Sequence, residues 1–168
     1  MATQAAIPLF DAVSAVLGIS PVAKSYGTQS ILRMERVFAE ECDPNSVRRL
    51  IREFPFEMVE KDILMIDWGP FFRRVELFPE LRKERTGDVA CAFFSAISDA
   101  ALKMAVYAAD VTKLRKIVLS GSAFQSPSLT YMISEQLRRA EFNVYHHEKT
   151  SPDESSVSIG QAVFGGNA

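Results

Sequence analysis

The sequence has only two cysteines, Cys42 and Cys91, among 168 residues. Neither belongs to a CxxC motif or a Cys/His cluster, which excludes a structural zinc site. So few thiols point to a reducing, cytoplasmic compartment and to a domain that needs no disulfide framework. Positive charge is not in excess either. The formal net charge is -2, so nothing suggests a basic surface that would release counterions from nucleic acid. Met1 to Pro8 lack a basic region and a long apolar core, so no signal peptide is expected. The longest apolar stretch, Val89 to Ala109, carries Asp99 and Lys103 near its middle. Each would cost about 3 kcal/mol at a bilayer centre, so this stretch is expected to be a buried helix rather than a membrane span.

What is present is ordinary for a globular domain: 48% hydrophobic and 24% charged residues. The length suits one domain, which at this size buries about two-thirds of its unfolded surface.

Periodicity and punctuation outline the elements. Leu9, Phe10, Val13, Val16 and Leu17 form one face of a first helix, stopped by Gly18 and Pro21. A second helix is expected from Gln29 to Cys42, with Ile31, Met34 and Phe38 inward. Asp43-Pro44 reads as a cap and first turn for a short helix over 44–52. Phe54 to Val59 and Ile63 to Ile66 flank Glu60-Lys61-Asp62 as a hairpin, after which Asp67 caps a helix bearing Phe71, Phe72 and Val75, punctuated by Pro79. A long helix starts near Gly87, with Val89, Ala90, Phe93, Phe94, Ile97, Ala101, Met104 and Ala105 inward. Lys116 to Ser120 reads as a buried strand, Gly121 as a turn, and Ser126-Pro127 as the start of a helix with Leu129, Met132, Ile133 and Leu137 inside. Phe142 to His146 is a second strand and Ser151 to Ser156 a polar loop. Val157 to Phe164 is a last helix, ended by Gly165-Gly166. A strand–helix–strand unit of this spacing implies parallel pairing. The fold class reads as α/β or α+β, helix-rich, with one small mixed sheet.

Two segments can carry chemistry. Lys116 to Ser126 (KIVLSGSAFQS) runs from a strand through Ser-Gly-Ser to a helix start. Backbone amides and a helix dipole there suit an anion or a nucleotide, and a tight turn that needs glycine is the plainer alternative. In Ser151 to Ser156, Asp153 or Glu154 can ligate a divalent metal or simply cap the next helix. His146 and His147, adjacent on a strand, point to opposite faces and are expected at the surface. Trp68 is expected to pack beside its cap Asp67. Arg48, Arg49, Arg52, Arg73, Arg74, Arg138 and Arg139 are expected on solvated faces interleaved with acids. No Ser/His/Asp set can be assembled.

Six segments, in order, resemble the C-terminal part of the HypF family, the carbamoyltransferases of [NiFe]-hydrogenase maturation. LFDAVSAVLGIS (Leu9 to Ser20) is similar to LFDAVAALLGL, and SYGTQSILRME (Ser25 to Glu35) to SYEGQAAMELE. ILMIDWGPFFRRV (Ile63 to Val75) resembles the family's hairpin-then-helix segment, and VACAFFSAISDAAL (Val89 to Leu102) lies where the family has an Ala-rich helix with an F-H pair. IVLSGSAFQS (Ile117 to Ser126) matches IVLSGGVFQN, and SPDESSVSIGQA (Ser151 to Ala162) matches PPNDGGISLGQA.

The resemblance implies the second lobe of an actin-like ATPase fold, shared with tRNA threonylcarbamoyl transferases. It implies ATP or a carbamoyl-adenylate held between two lobes, with a divalent metal ion, and transfer of the carbamoyl group to a thiolate of the partner HypE. By the same resemblance Ser120, Gly121, Ser122, Gln125 and Ser126 face the nucleotide, and Glu154 stands at the metal carboxylate. No catalytic residue is assigned.

The departures are specific. Family Gly-Gly is Gly121-Ser122, the closing Asn is Ser126, Glu-Gly is Gly27-Thr28, the His of the F-H pair is Phe94, and Asp-Gly-Gly is Glu154-Ser155-Ser156. The side chains of Ser155 and Ser156 stand where backbone should approach a nucleotide. Ser120, Gly121, Phe124, Gln125, Gly160 and Gln161 are retained. The family's first lobe has no counterpart here, so the chain alone is expected to have little carbamoyl transfer activity. Expected partners are a first-lobe protein, or a second copy through the face that lobe would cover, and a hydrogenase-maturation protein. Nucleic acid and membrane are not expected. The alternative function is a catalytically degenerate homologue serving as a binding or assembly module or a homodimer.

Overall fold

The computed structural model describes residues 6–20, 25–43, 45–61 and 64–165. The expectations resting on Pro21, Pro44, Asp62, Ile63 and Gly166 lie outside these residues, as does the side chain of Arg48.

The described residues form eight α-helices and four short strands. These are α1 (Ala6–Val16), α2 (Gln29–Glu41), α3 (Val47–Glu53), β1 (Glu57–Glu60), β2 (Leu64–Asp67), α4 (Gly69–Leu77), α5 (Pro79–Lys83), α6 (Thr86–Thr112), β3 (Lys116–Leu119), α7 (Pro127–Arg139), β4 (Asn143–His146) and α8 (Val157–Gly165). The architecture is helix-rich α/β. The strands form two separate pairs rather than one mixed sheet: β1 and β2 are an antiparallel hairpin, β3 and β4 a parallel pair. Only three residues, 61–63, separate β1 from β2, whereas a parallel pair needs a crossover, which α7 provides.

Helix α6 organises the core. Thirteen of its 27 residues are buried, and α2, α3 and α7 pack around it. It is long and apolar enough to cross a membrane by length and composition, but its apolar face is what the other helices cover. The face is alanine-rich, which lets neighbours approach, and its bulk comes from Phe93 and Phe94. Phe10 meets both rings edge-on, Phe38 stacks on Phe94 at 4.6 Å, and Trp68 packs against Phe71 and Phe93. Such pairs add about 0.5–1.5 kcal/mol each beyond the area they bury.

Several boundaries and faces differ from expectation. Asp43 does not cap α3. It closes an Asx turn by accepting the Asn45 amide at 2.9 Å, and the helix starts at Val47. Asp67 ends β2 and accepts the Gly69 amide at 2.7 Å, one step ahead of the cap position. Val16, the last residue of α1, is exposed, and Met104 faces outward because past Ala101 only Ala105 and Ala109 of α6 are buried. Strand β3 is not buried. Leu119 is, but Val118 is 69% exposed and its β4 partner Tyr145 is 52% exposed. One face of the parallel pair packs on the core and the other is uncovered, where parallel sheets are ordinarily covered on both.

The arginines are not all on solvated faces. Glu53, its side chain 16% exposed, accepts from Arg85 at 2.8 Å and Arg74 at 3.1 Å, with Arg49 at 3.5 Å. Arg85 also pairs with Asp88 at 2.7 Å. This cluster ties α3, α4 and α6 together. The Arg85 hydrogen bond, opposed by burial and helped by Arg74, holds the Glu53 carboxyl below its ordinary range.

The two cysteines also depart from expectation. Cys42 and Cys91 are joined, with Cα atoms 5.2 Å apart. Sequence spacing could not reveal this, because 49 residues separate them and only the packing of α2 on α6 brings them together.

Candidate functional site

The candidate site lies at the carboxyl ends of the parallel strands, where α/β folds usually take ligands. The register pairs Leu119 with His146, so the next residues, Ser120 and His147, emerge side by side. Ser120 Oγ lies 3.0 Å from His147 Nε2, and His147 Nδ1 lies 3.1 Å from Thr150 Oγ1. These three polar groups form an exposed chain across the strand ends.

Gly121 follows with φ +107° and ψ 160°, a conformation that side-chain-bearing residues avoid. A Cβ there would meet nothing within 4 Å, so the turn needs glycine for backbone freedom and not for clearance. The Gly121 amide donates to the Pro152 carbonyl at 2.7 Å, lashing the turn to the 151–156 loop. Ser122 to Gln125 then form one 3-10 turn before α7.

Gln125 reaches across to the same loop and donates to Asp153 Oδ2. Asp153 Oδ1 accepts from the Ser155 amide at 3.0 Å and the Ser155 hydroxyl at 2.5 Å. The hydroxyls of Ser155 and then Ser151 hold the Asp153 carboxyl below the usual range. Asp153 is therefore the cap of the short turn Glu154–Ser156.

The N-terminus of α7 is already filled. Ser126 is fully buried, and its Oγ accepts the Leu129 amide at 3.1 Å. Ser126 also donates to Glu35 Oε2 from α2, and the Ser128 amide and hydroxyl donate to Glu35 Oε1 at 3.1 and 2.5 Å. The slot that a helix start offers to an anion thus holds a protein carboxylate. The five residues expected at a nucleotide consequently divide. Ser120 and Gly121 are exposed, Ser122 and Gln125 are half-buried beside them, and Ser126 faces inward toward Glu35.

Glu154 is exposed and begins its short turn. Among the described residues no group of three His, Cys, Asp or Glu side chains converges to hold a metal ion. A hard divalent cation takes six or more oxygen ligands. Glu154 supplies one carboxylate, and the oxygens of neighbouring Asp153 are engaged by Gln125 and Ser155. The donors among the described residues do not make a metal site by themselves.

The capping role open to Asp153 in the sequence is the one it takes, whereas the contacts of Glu35, His147 and Pro152 went unforeseen. Glu35 had a signal, as the last residue of the matched segment SYGTQSILRME. His147 had one in the register of two parallel strands. The Pro152 carbonyl had none, because backbone acceptors carry no residue identity.

Three comparisons bear on this geometry. A family model described as "Carbamoyltransferase, Kae1-like Domain, second subdomain" matches residues 6–161. Among solved structures, full-length HypF in a phosphate- and nucleotide-bound form is similar with a TM-score of 0.73 at 23% identity, over 95% of this chain and 20% of that one. HypF from T. kodakarensis is similar with a TM-score of 0.64 at 19% identity, over 94% of this chain and 19% of that one. The chain therefore spans about a fifth of these proteins. No curated protein matches the sequence.

Proposed function

Because this chain belongs to the family of second subdomains of the carbamoyltransferase Kae1-like domain, we propose that it supplies the nucleotide side of a two-surface carbamoyl-transfer site. The observation that carries this reading is the strand-end turn. Ser120 and Gly121 are presented outward at the carboxyl ends of β3 and β4, held from behind by Pro152 and His147. ATP or a carbamoyl-adenylate lies along Ser120, Gly121, Ser122 and Gln125, with Ser126 as the support beneath. One matched relative was solved with nucleotide bound. Glu154 contributes at most one ligand to an ion whose other ligands come from a partner surface.

Catalysis requires that second surface, because alignment of two reactants supplies much of the rate of a group transfer. The partner is a first-lobe polypeptide, the acceptor a thiol of a hydrogenase-maturation protein, and the compartment the cytoplasm. Calorimetric titration of the chain with ATP tests the nucleotide side. Saturable binding blunted by Ser120→Ala supports the reading, and no heat at millimolar ATP overturns it for the isolated chain.

A second reading, an assembly module that pairs with its own copy, is favoured by α8. Every residue of this helix is exposed, including Val157, Ile159 and Phe164, the last at 84%. With the uncovered Val118 and Tyr145, these residues present apolar surface that invites association. Light scattering at micromolar protein distinguishes the readings: a dimer mass supports the module, a monomer mass the two-lobe enzyme.

A further inference from the structure

We propose that Cys42 and Cys91 form a reversible thiol–disulfide site that opens through the Cys42 sulfur and sets the stability of the α2–α6 seam. The two helices run in opposite senses along one seam. Phe38 stacks on Phe94, Cys42 joins Cys91, and Glu41 lies against Gly87. The Cα separation of 5.2 Å falls within the range that a disulfide spans without backbone movement. The bridge is therefore compatible with the packed helices.

The two sulfurs differ in access. Cys91 is completely buried, whereas Cys42 is half-buried at the end of α2, between exposed Glu41 and Asp43. Exchange needs an approaching thiolate, so access decides which sulfur is attacked. A thiolate of a dithiol reductant attacks Cys42 Sγ. The Sγ–Sγ bond breaks, and its electron pair goes to Cys91 Sγ, which takes up a proton. The second thiol of the reductant then attacks the mixed disulfide and releases Cys42 as a thiol. Two electrons and two protons pass to the pair, and the dithiol becomes its own disulfide. A low-molecular-weight disulfide such as oxidised glutathione runs the same exchange in reverse.

The bridge encloses α3, the β1–β2 hairpin, α4 and α5. Opening it gives the unfolded chain back the freedom of that long loop, while the native contacts stay in place. Helix α2 also carries Glu35, two turns before Cys42, against the start of α7. The half-buried end of the bridge therefore sits on the helix that supports the candidate site.

The test uses the whole chain equilibrated with oxidised glutathione or with dithiothreitol. The oxidised sample is expected to have no titratable thiol, a mass two hydrogens lower and a melting temperature higher by about 10 °C, and all three are expected to revert with dithiothreitol. Two thiols that still titrate after native incubation with oxidised glutathione overturn the proposal, as does a melting temperature that ignores the redox state. Single variants test the route. In Cys91→Ser, Cys42 should form a mixed disulfide with glutathione in the folded protein, and in Cys42→Ser, Cys91 should resist it until denaturant is added. Equal capture of the two overturns the assignment of Cys42. Should either variant fail to fold, partial reduction of the wild-type chain in the presence of glutathione, followed by mapping of the glutathionylated cysteine, decides the same question.

Discussion

Glu35 on α2 accepts the backbone amide of Ser128 at 3.1 Å, so α7 begins on a carboxylate supplied by a different helix. The same carboxylate receives the hydroxyls of Ser126 and Ser128. An ion of this kind at a helix start satisfies an orphan amide and meets the positive end of the dipole. Charge-assisted bonds contribute about 1.5–3 kcal/mol each when intact. Glu35→Gln keeps the volume and removes the charge. We expect it to lower stability by about 2 kcal/mol, equivalent to a melting point lower by roughly 5 °C. Calorimetry on the variant checks this, and an unchanged melt would show that the contact contributes nothing.

The Glu53 cluster makes a prediction about pH. The folded carboxyl titrates below its ordinary 4.5, chiefly through the Arg85 hydrogen bond. The folded state therefore holds fewer protons than the unfolded one near that pH, and its advantage is present above 4.5. It is lost as pH falls through the depressed folded value. Glu53→Gln leaves Arg85 and Arg74 facing an uncharged amide and should cost about 1.5–3 kcal/mol at pH 7. Urea melts of both proteins at pH 7 and again below pH 4 should show the gap narrowing in acid. A gap independent of pH would mean that the cluster is not the source.

Gly87 opens α6 where it meets the end of α2. A Cβ at this position would lie 2.4 Å from Glu41 Cβ, closer than carbon atoms approach. Gly87→Ala must push the helices apart at the turn before Cys91. Overpacking of this kind costs about 1–3 kcal/mol, more than the helix propensity that alanine returns. A lower denaturation midpoint with slower oxidation of Cys42 and Cys91 is the expected pair of readouts. An exposed glycine would instead gain stability on the same change.

Much of the fold was legible because it rests on local rules. The spacing of Phe10, Ile31, Phe93 and Leu129 marked the inner faces of four helices, and the 116–146 spacing gave the parallel pair. What was not legible depends on where elements end up. Leu119 and Val118 are equally apolar in sequence, yet one is buried and the other open, because they point to opposite faces of the strand pair and only one face is packed on the core. Asp43 looked like a cap, but an Asx turn took its side chain first. Ser126 caps α7 as Ser-Pro suggests, while Glu35, 91 residues earlier, decides that no anion slot remains behind it. The Ser120–His147 contact needed the strand register, which one sequence implies only after the pairing is accepted.

The strand-end turn can be separated from the metal by two variants. Gly121 at φ +107° has open space around it, so Gly121→Ala costs backbone strain alone, about 1–3 kcal/mol. Relief of that strain would swing the amide away from the Pro152 carbonyl and displace Ser120 from His147. Nucleotide affinity should then fall at least about tenfold, which corresponds to roughly 1.4 kcal/mol. Glu154→Ala touches none of these contacts, and the described residues offer no other ligand set for a cation. ATP affinity of the isolated chain should be the same in this variant as in the wild type, and the same in EDTA as in magnesium. A strong magnesium requirement that disappears in Glu154→Ala would instead show that Glu154 anchors the ion from this side alone, and the partner surface would no longer be needed to explain metal binding.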